Sequence, residues 1–300
     1  MCTSPIDGWR SKGLSVRGKR SVVFDIKQGF HDRPVTVPCG RCMECRLKKK
    51  REWALRCLHE SSLHEENSWL TLTYDDEHMP SRWQLRKSDL SEFIKRLRSR
   101  EAYDATKAGR RERRFKFFGC GEYGGKFDRP HYHLLLFGYH FRDSEFFTVQ
   151  NGFRVFKSEL CDEVWSRGIC DLGEVTFDGM AYLAKYVTKR DRKEEEALKS
   201  CGYEPEFLLM SRGGRYSRGI GYEWWKQYGE EALANDSVIL KGREVAQPRY
   251  YDELNEVQEP EKVAKVKARR KARCDEDAMR TQRLLSREKI VESCVKLFER

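Results

Sequence analysis

Residues 129–136 read Arg-Pro-His-Tyr-His-Leu-Leu-Leu, and the two histidines that open this apolar run constrain the chain more than any other feature. A short apolar run of this kind reads as a buried strand. Side chains on a strand alternate between its faces, so His131 and His133 point the same way and can grip one divalent ion. Residues 115–122, Phe-Lys-Phe-Phe-Gly-Cys-Gly-Glu, predict a second strand, and the glycine-rich residues 124–128 predict the loop between the two. That hairpin returns Glu122 to the histidines as a third ligand. An isolated His-x-His pair is more simply a satisfied pair in a core, but two further constellations shift the balance toward a metal.

Residues 180–189, Met-Ala-Tyr-Leu-Ala-Lys-Tyr-Val-Thr-Lys, hold no helix breaker and predict a helix. Tyr182 and Tyr186 are four residues apart and share a face, displaced by roughly 6 Å along the axis. Each is followed three residues later by a lysine, Lys185 and Lys189. A tyrosine hydroxyl with a free pKa of about 10 is a poor nucleophile until a nearby ammonium or a metal-polarised phosphate assists it. Two packed tyrosines on an amphipathic helix are the plainer account of this segment alone. The repeated Tyr-x-x-Lys is less easily explained that way. Residues 69–74, Trp-Leu-Thr-Leu-Thr-Tyr, alternate and are rich in strand formers, which predicts a central strand.

In this order the three segments resemble the HUH endonucleases that start rolling-circle replication. That family shows a hydrophobic-Thr-Leu-Thr strand, then a His-hydrophobic-His strand, then a tyrosine helix, here residues 70–74, 131–133 and 182–189. The spacing of Glu122 from His131 resembles that of the third metal ligand in such proteins, and the paired tyrosines resemble the two-tyrosine branch. The chain is most similar to the replication initiators of gokushovirus-type microviruses, small single-stranded DNA phages. Three more motifs carry that similarity: Cys-Gly-x-Cys-x-x-Cys at 39–45, Gly-Glu-Tyr-Gly at 121–124 and Pro-Arg-Tyr-Tyr at 248–251.

The resemblance implies a sheet with an RRM-like core whose central strands display the histidines. It implies Mg²⁺ or Mn²⁺ held by His131, His133 and Glu122, polarising the scissile phosphate of single-stranded origin DNA. Tyr182 or Tyr186 would attack, leaving a 5′-phosphotyrosine link and a free 3′-OH, with Lys185 and Lys189 stabilising phosphate charge. The DNA origin and host replication proteins are then the partners, and the cytoplasm of a bacterial host is the location.

Composition agrees with a polyanionic partner. Lysine and arginine number 59 against 48 acidic residues, a formal charge of +11. No run of about twenty apolar residues is present, so no membrane span is expected. Residues 1–5, Met-Cys-Thr-Ser-Pro, lack the apolar core of a signal peptide, so a cytosolic protein with reduced or metal-bound cysteines is expected. Among its eleven cysteines, Cys39, Cys42 and Cys45 stand at C-x2-C-x2-C spacing. They can share a structural zinc if Cys2 folds back as the fourth ligand, with an iron–sulfur cluster or plain thiols as alternatives.

Residues 1–38 read as irregular and basic. Residues 46–63 predict a helix with Trp53, Ala54, Cys57 and Leu58 as its apolar stripe and Lys48, Lys49, Lys50, Arg51 and Arg56 opposite, a face suited to DNA. Ser88 is placed to cap a helix buried through Leu90, Phe93, Ile94 and Leu97. Arg110, Arg111, Arg113 and Arg114 form a candidate phosphate contact, as do Arg212, Arg215 and Arg218 in a glycine-rich loop. Trp224 and Trp225 follow as stacking platforms or as a packed pair. Residues 173–177 predict a short strand that delivers the chain to the tyrosine helix. Beyond residue 255 the chain turns charged and helical without a strong core face, as in a loosely docked tail that adds DNA affinity.

The expected architecture is α+β, an antiparallel sheet with flanking helices. It divides into a cysteine-cluster and basic-helix segment at 1–67, an HUH endonuclease domain at 68–254 and a charged helical tail at 255–300. The expected activity is a metal-dependent DNA nicking and strand-transfer reaction. The rival readings are a phosphoesterase in which water attacks, and a zinc-bearing nucleic-acid-binding regulator without catalysis.

Overall fold

The computed structural model describes residues 2–14, 20–125, 128–150, 152–186, 192–212, 218–273 and 281–298. In chain order the elements are β1 (Ile6–Ser11), β2 (Val22–Val23), β3 (Gly29–Val37), α1 (Met43–Ser61), β4 (Asn67–Tyr74), α2 (Lys87–Lys107), β5 (Lys116–Tyr123) and β6 (Pro130–Phe137). There follow β7 (Glu145–Gln150), β8 (Phe153–Lys157), α3 (Glu159–Trp165), β9 (Gly168–Gly173), α4 (Phe177–Lys185), α5 (Arg192–Ser200) and β10 (Phe207–Met210). The last are α6 (Tyr222–Asn235), β11 (Val238–Leu240), β12 (Arg243–Val245), α7 (Arg249–Gln258), α8 (Pro260–Ala272) and α9 (Thr281–Phe298). Two compact units result, one of Met1–Lys49 with Ala264–Arg300 and one of Lys50–Val263. Among the described residues no helix is long and apolar enough to cross a membrane.

The second unit is built on a seven-stranded antiparallel sheet of order β10-β5-β6-β4-β9-β8-β7. Its α+β class is the one the sequence predicts. Strands β4 and β6 alternate as their patterns require, so each central strand feeds two layers. On one face Leu70, Leu72, Tyr132, Leu134 and Leu136 pack with Leu90, Phe93 and Leu97 of α2 and Val164 and Trp165 of α3. On the other, Phe118, Cys120 and Leu135 pack with Cys57 of α1 and with Met180, Leu183 and Tyr186. Helices therefore cover both faces. Burial of this apolar area is the main favourable term in the fold.

Several local expectations give way. Residues 1–38 are not irregular: β1, β2 and β3 form an antiparallel sheet of order β2-β1-β3. Gly29 makes this possible, because a Cβ there would collide with Trp9 Cβ. These strands are largely exposed, so their polar residues hid the pattern. The strand expected at 173–177 is β9, which ends where that segment begins. Residues 174–176 instead carry the N-cap of α4, where the Thr176 hydroxyl accepts from Gly179 N–H. Gly168 opens β9 at φ 144, and a Cβ there would collide with the Thr73 carbonyl. Helix α2 starts at Lys87 with Arg86 as its N-cap, so Ser88 does not cap it; its hydroxyl donates to Asp89.

Arg56 leaves the basic face of α1. Its guanidinium lies 4.0 Å from the Trp53 ring centroid and 3.9 Å from that of Tyr250, and donates to the Ile220 carbonyl. The tryptophan pair is packed rather than presented to solvent. Trp225 donates from Nε1 to Asn255 at 2.7 Å, and Trp224 stacks on His59 at 3.7 Å between centroids. Tyr251, from the late Pro-Arg-Tyr-Tyr motif, closes that stack and meets His59 Nδ1 at 2.8 Å. In the charged C-terminal stretch, Val263 and Val266 are buried, a narrow stripe at helical spacing that the surrounding Lys and Arg mask in the sequence.

Glu101 is the most firmly held acid of α2. Its carboxylate accepts from Arg110 Nη1 at 2.6 Å and from Arg113 Nη2 at 2.8 Å, and its side chain is 1% exposed. Burial opposes its charge, but the two guanidiniums outweigh burial and draw its pKa down to about 2. A lowered pKa stabilises the fold above the ordinary carboxylate value and stops doing so as the pH falls toward 2. Glu101→Ala is therefore expected to cost about 3 kcal/mol in urea unfolding at pH 7. The gap to wild type should shrink at pH 3; an equal gap at both values would contradict the account.

Candidate active site

Register alone assembles the site. In the β5–β6 ladder Glu122 stands opposite His131 and Cys120 opposite His133, while in the β4–β6 ladder Thr71 stands opposite His133. Directly paired residues share a face. Glu122, His131, His133 and Thr71 therefore project from the same side of the sheet, the side on which α4 packs. Nε2 of both histidines lies 2.8 Å from Glu122 Oε1, and the three ligand atoms lie within 4.8 Å of one another. The Glu-His-His convergence predicted from spacing is thus present.

The outer partners of the histidines fit a metal centre. His131 Nδ1–H donates to the Arg129 carbonyl at 3.1 Å, which turns Nε2 toward Glu122. His133 Nδ1 meets Thr71 Oγ1 at 3.0 Å, fixing that ring the same way. Metal-bound histidines are held in this manner by the nitrogen not used for ligation. Thr71 comes from the Leu-Thr-Leu-Thr strand, whose part in the site was not legible until the ladders were known. Two imidazoles and one carboxylate with open positions suit a divalent cation such as Mg²⁺ or Mn²⁺.

Electrostatics follow from burial and these contacts. Burial disfavours the Glu122 carboxylate, but hydrogen bonds from His131, His133 and Tyr182 outweigh it and hold its pKa well below the usual range. His131 is also opposed by burial, yet Glu122 and the Arg129 carbonyl raise its pKa. His133 is more deeply enclosed, and burial lowers its pKa despite Glu122.

The tyrosines reach the same point from α4. The Tyr182 hydroxyl donates to Glu122 Oε1 at 2.7 Å, and the Tyr186 hydroxyl lies 3.3 Å from that of Tyr182. Lys185 Nζ lies 3.7 Å from the Tyr182 ring centroid and 4.9 Å from that of Tyr186. Tyr182 is 36% exposed and Tyr186 only 3%. Burial first, and then the Glu122 carboxylate, push the Tyr182 pKa up. Tyr186 is the C-cap of α4, so the helix predicted to 189 ends at Lys185; Lys189 lies outside the described residues.

The arginines are not brought to this site. Arg110 and Arg113 are engaged with Glu101, and Arg111 and Arg114 are exposed. All four precede β5, and Glu122 lies six residues beyond its first residue, roughly 20 Å along the strand. Arg212 is exposed, Arg218 lies over the Tyr222 ring at 5.0 Å, and Arg215 is outside the described residues.

In the first unit the sulfurs of Cys2, Cys39, Cys42 and Cys45 also lie within 4.8 Å of one another. The Cys39 amide donates to Cys2 Sγ at 3.2 Å, and the Arg41 and Cys42 amides donate to Cys39 Sγ at 3.4 and 3.3 Å. Burial works against the Cys42 thiolate, but hydrogen bonds from Thr3 outweigh it and bring the pKa to about 6. Four converging thiols with amide donors to sulfur fit tetrahedral Zn²⁺.

Residues 67–191 match the family described as replication-associated protein ORF2. The chain is 33% identical over 277 residues to the replication-associated protein VP4 of Bdellovibrio phage phiMH2K, covering 90% of this chain and 83% of that protein. It is 32% identical over 232 residues to the replication-associated protein ORF2 of Spiroplasma virus 4, covering 72% and 67%. Against the replication-associated protein ORF4 of Chlamydia phage 1 it is 29% identical over 240 residues, covering 77% of this chain and 57% of that one. No solved structure matches the chain.

The second-unit centre predicts a graded response to substitution. Isothermal titration with Mn²⁺ should show binding lost in His131→Ala and in Glu122→Ala. In Thr71→Val, which removes only the partner of His133 Nδ1, binding should weaken about 10- to 100-fold. Unchanged Mn²⁺ affinity in Thr71→Val would remove the threonine from the site.

Proposed function

Since this chain belongs to the phage replication-associated proteins and is a gokushovirus-like replication initiator, we propose that it nicks single-stranded origin DNA through a tyrosine, as a metal-dependent HUH endonuclease. The observation that carries this reading is the shared oxygen. Glu122 Oε1 receives both histidine Nε2 contacts and the Tyr182 hydroxyl, so a nucleophile stands beside a divalent-cation site. When bound, the divalent ion supplies positive charge against the scissile phosphate and against the carboxylate that raises the Tyr182 pKa.

Tyr182 is the first nucleophile in this proposal, because its hydroxyl touches Glu122 and is the more exposed of the two. Its Oη forms a bond to phosphorus as the P–O3′ bond breaks, and the phenolic proton ends on the O3′ leaving group. The products are a 5′-phosphotyrosine link and a free 3′-OH. One phosphoester replaces another, so no nucleotide is consumed. Tyr186, hydrogen-bonded to Tyr182, is held in reserve for the second cleavage, which releases a circle. Lys185, with its ammonium over the Tyr182 ring, steadies negative charge on the phenol and phosphate, and Lys189 is assigned to the same task. A water-using phosphoesterase would leave the Tyr182–Glu122 contact without purpose.

The functional division follows: residues 1–67 as a zinc-stabilised segment, 68–254 as the endonuclease and 255–300 as a charged tail that adds DNA affinity through Lys and Arg. Host replication proteins are the further partners, and the site of action is the cytoplasm of a bacterial host.

Single-stranded origin DNA incubated with Mn²⁺ and run on a denaturing gel should give a covalent protein–DNA band, absent with EDTA and restored by added Mn²⁺. Tyr182→Phe should remove that band, whereas Tyr186→Phe should keep it and fail only in circle release. A strong band from the double Phe variant, or full activity in EDTA, would refute the mechanism. Elemental analysis should separately find about one zinc per chain, lost in Cys42→Ser together with stability. Freely titratable thiols in metal-free folded protein would refute the zinc site.

A further inference from the structure

The β7–β8 hairpin carries a concentration of large apolar side chains in contact with solvent. Phe147 is 63% exposed and Phe153 59%, with Phe146 and Val149 also exposed, and Ile169 of the neighbouring β9 is 52% exposed. Scattered exposed residues need no explanation, but a contiguous patch of this kind marks an interaction surface.

The ladders say which face this is. Thr73 stands opposite both His131 and Ile169, and Thr71 opposite both His133 and Asp171. Gly173 pairs with Val155, so Val155 shares the face of Asp171 and Ile169, and by alternation Phe153 and Lys157 do too. Phe147 is the extra residue at the β7 bulge, where the register shifts between Phe146 and Thr148. Its ring centroid lies 5.5 Å from Lys157 Nζ, which places it on the same side. Ile169, Lys157, Phe147 and Phe153 thus continue, rung by rung, the face that displays the Glu122–His131–His133 centre. Helix α4 covers the β5–β6 half of that face and leaves this half open.

We propose that this open half of the sheet is a track for single-stranded DNA leaving the metal centre. The proposal rests on the DNA-nicking function set out above. Phe147 and Phe153 stack bases, and Ile169 gives an apolar floor between them and the centre. Lys157 is now paired with Asp171 at 2.7 Å and exchanges that partner for a backbone phosphate. An aromatic with an ammonium at its edge suits a nucleotide better than an apolar protein surface, because it offers a π-face for any base and a charge for the adjoining phosphate. From β6 to β7 the track crosses four strand spacings, about 19 Å, or about six stacked nucleotides. Glu145, Asp171 and Glu174 sit on or beside the track, so Lys157 and the stacking rings, not a broad positive field, give it its affinity.

The test is fluorescence polarisation with fluorescein-labelled oligo(dT)16 and oligo(dT)4. The double variant Phe147→Ala/Phe153→Ala should bind oligo(dT)16 at least fivefold more weakly than wild type, since one stacked base is worth about 1–3 kcal/mol by alanine substitution. It should bind oligo(dT)4 as wild type does, because so short a strand does not span from the centre to the hairpin. Phe147→Trp should retain full affinity. Photocrosslinks from oligo(dT)16 carrying 5-iododeoxyuridine should map to Phe147 or Phe153. Wild-type affinity of the double variant for oligo(dT)16 would overturn the track. So would wild-type dimerisation abolished by the same substitutions without loss of DNA binding, which would make the hairpin an interface between copies. If wild type itself binds no oligonucleotide and forms no adduct with origin DNA, the nicking function falls first; if it does both while the double variant binds equally well, only the track falls.

Discussion

One carboxylate oxygen organises the second unit. Glu122 Oε1 is the meeting point of two imidazoles from β6 and a phenol from α4, all within 2.8 Å. Such a group in a nearly closed site is unfavourable to bury unless it is fully engaged. Every neighbouring feature serves that engagement. The β5–β6 ladder sets Glu122 opposite His131, the β4–β6 ladder sets Thr71 behind His133, and the packing of Met180 and Leu183 on Phe118 and Leu135 lowers Tyr182 onto it. Trp69 fills the space between sheet and helix, with a ring 5.5 Å from that of His133 and a close approach to Gly179.

This arrangement explains why the sheet has two unlike faces. The face of Leu70, Leu72, Leu134 and Leu136 is purely apolar and closed by α2 and α3. The other is apolar only beneath α1 and α4 and becomes polar toward Thr71, Thr73 and Asp171. The same strands therefore supply stability on one side and chemistry on the other, with the division made by alternation at single-residue spacing.

Much of this was legible in residue order. The His-x-His strand, the threonine strand, the Glu122 strand and the tyrosine helix declared themselves because apolar periodicity and ligand spacing coincide in each. The cysteine cluster was legible for a different reason, the density of one residue type. What escaped notice were elements whose pattern is not apolar. The first sheet pairs exposed, charged strands, and β7 and β8 show aromatic residues to solvent. The packing of Arg56, Trp53 and Tyr250 joins positions nearly two hundred residues apart. Arginine runs read as DNA contacts are ambiguous for a related reason. A guanidinium that pairs with a buried Glu101 and one that awaits a phosphate look alike in sequence.

Because Glu122, His131 and His133 come from one hairpin, the ligand set depends on strand register and not on the turn that joins the strands. Lengthening or shortening the stretch between Tyr123 and Pro130 leaves the pairing of Glu122 with His131 in place. Inserting one residue into β5 or β6 rotates everything beyond it to the opposite face and dismantles the centre at once. In lineages that inherit this hairpin, insertions and deletions are therefore tolerated in the turn and purged from the strands on either side of it.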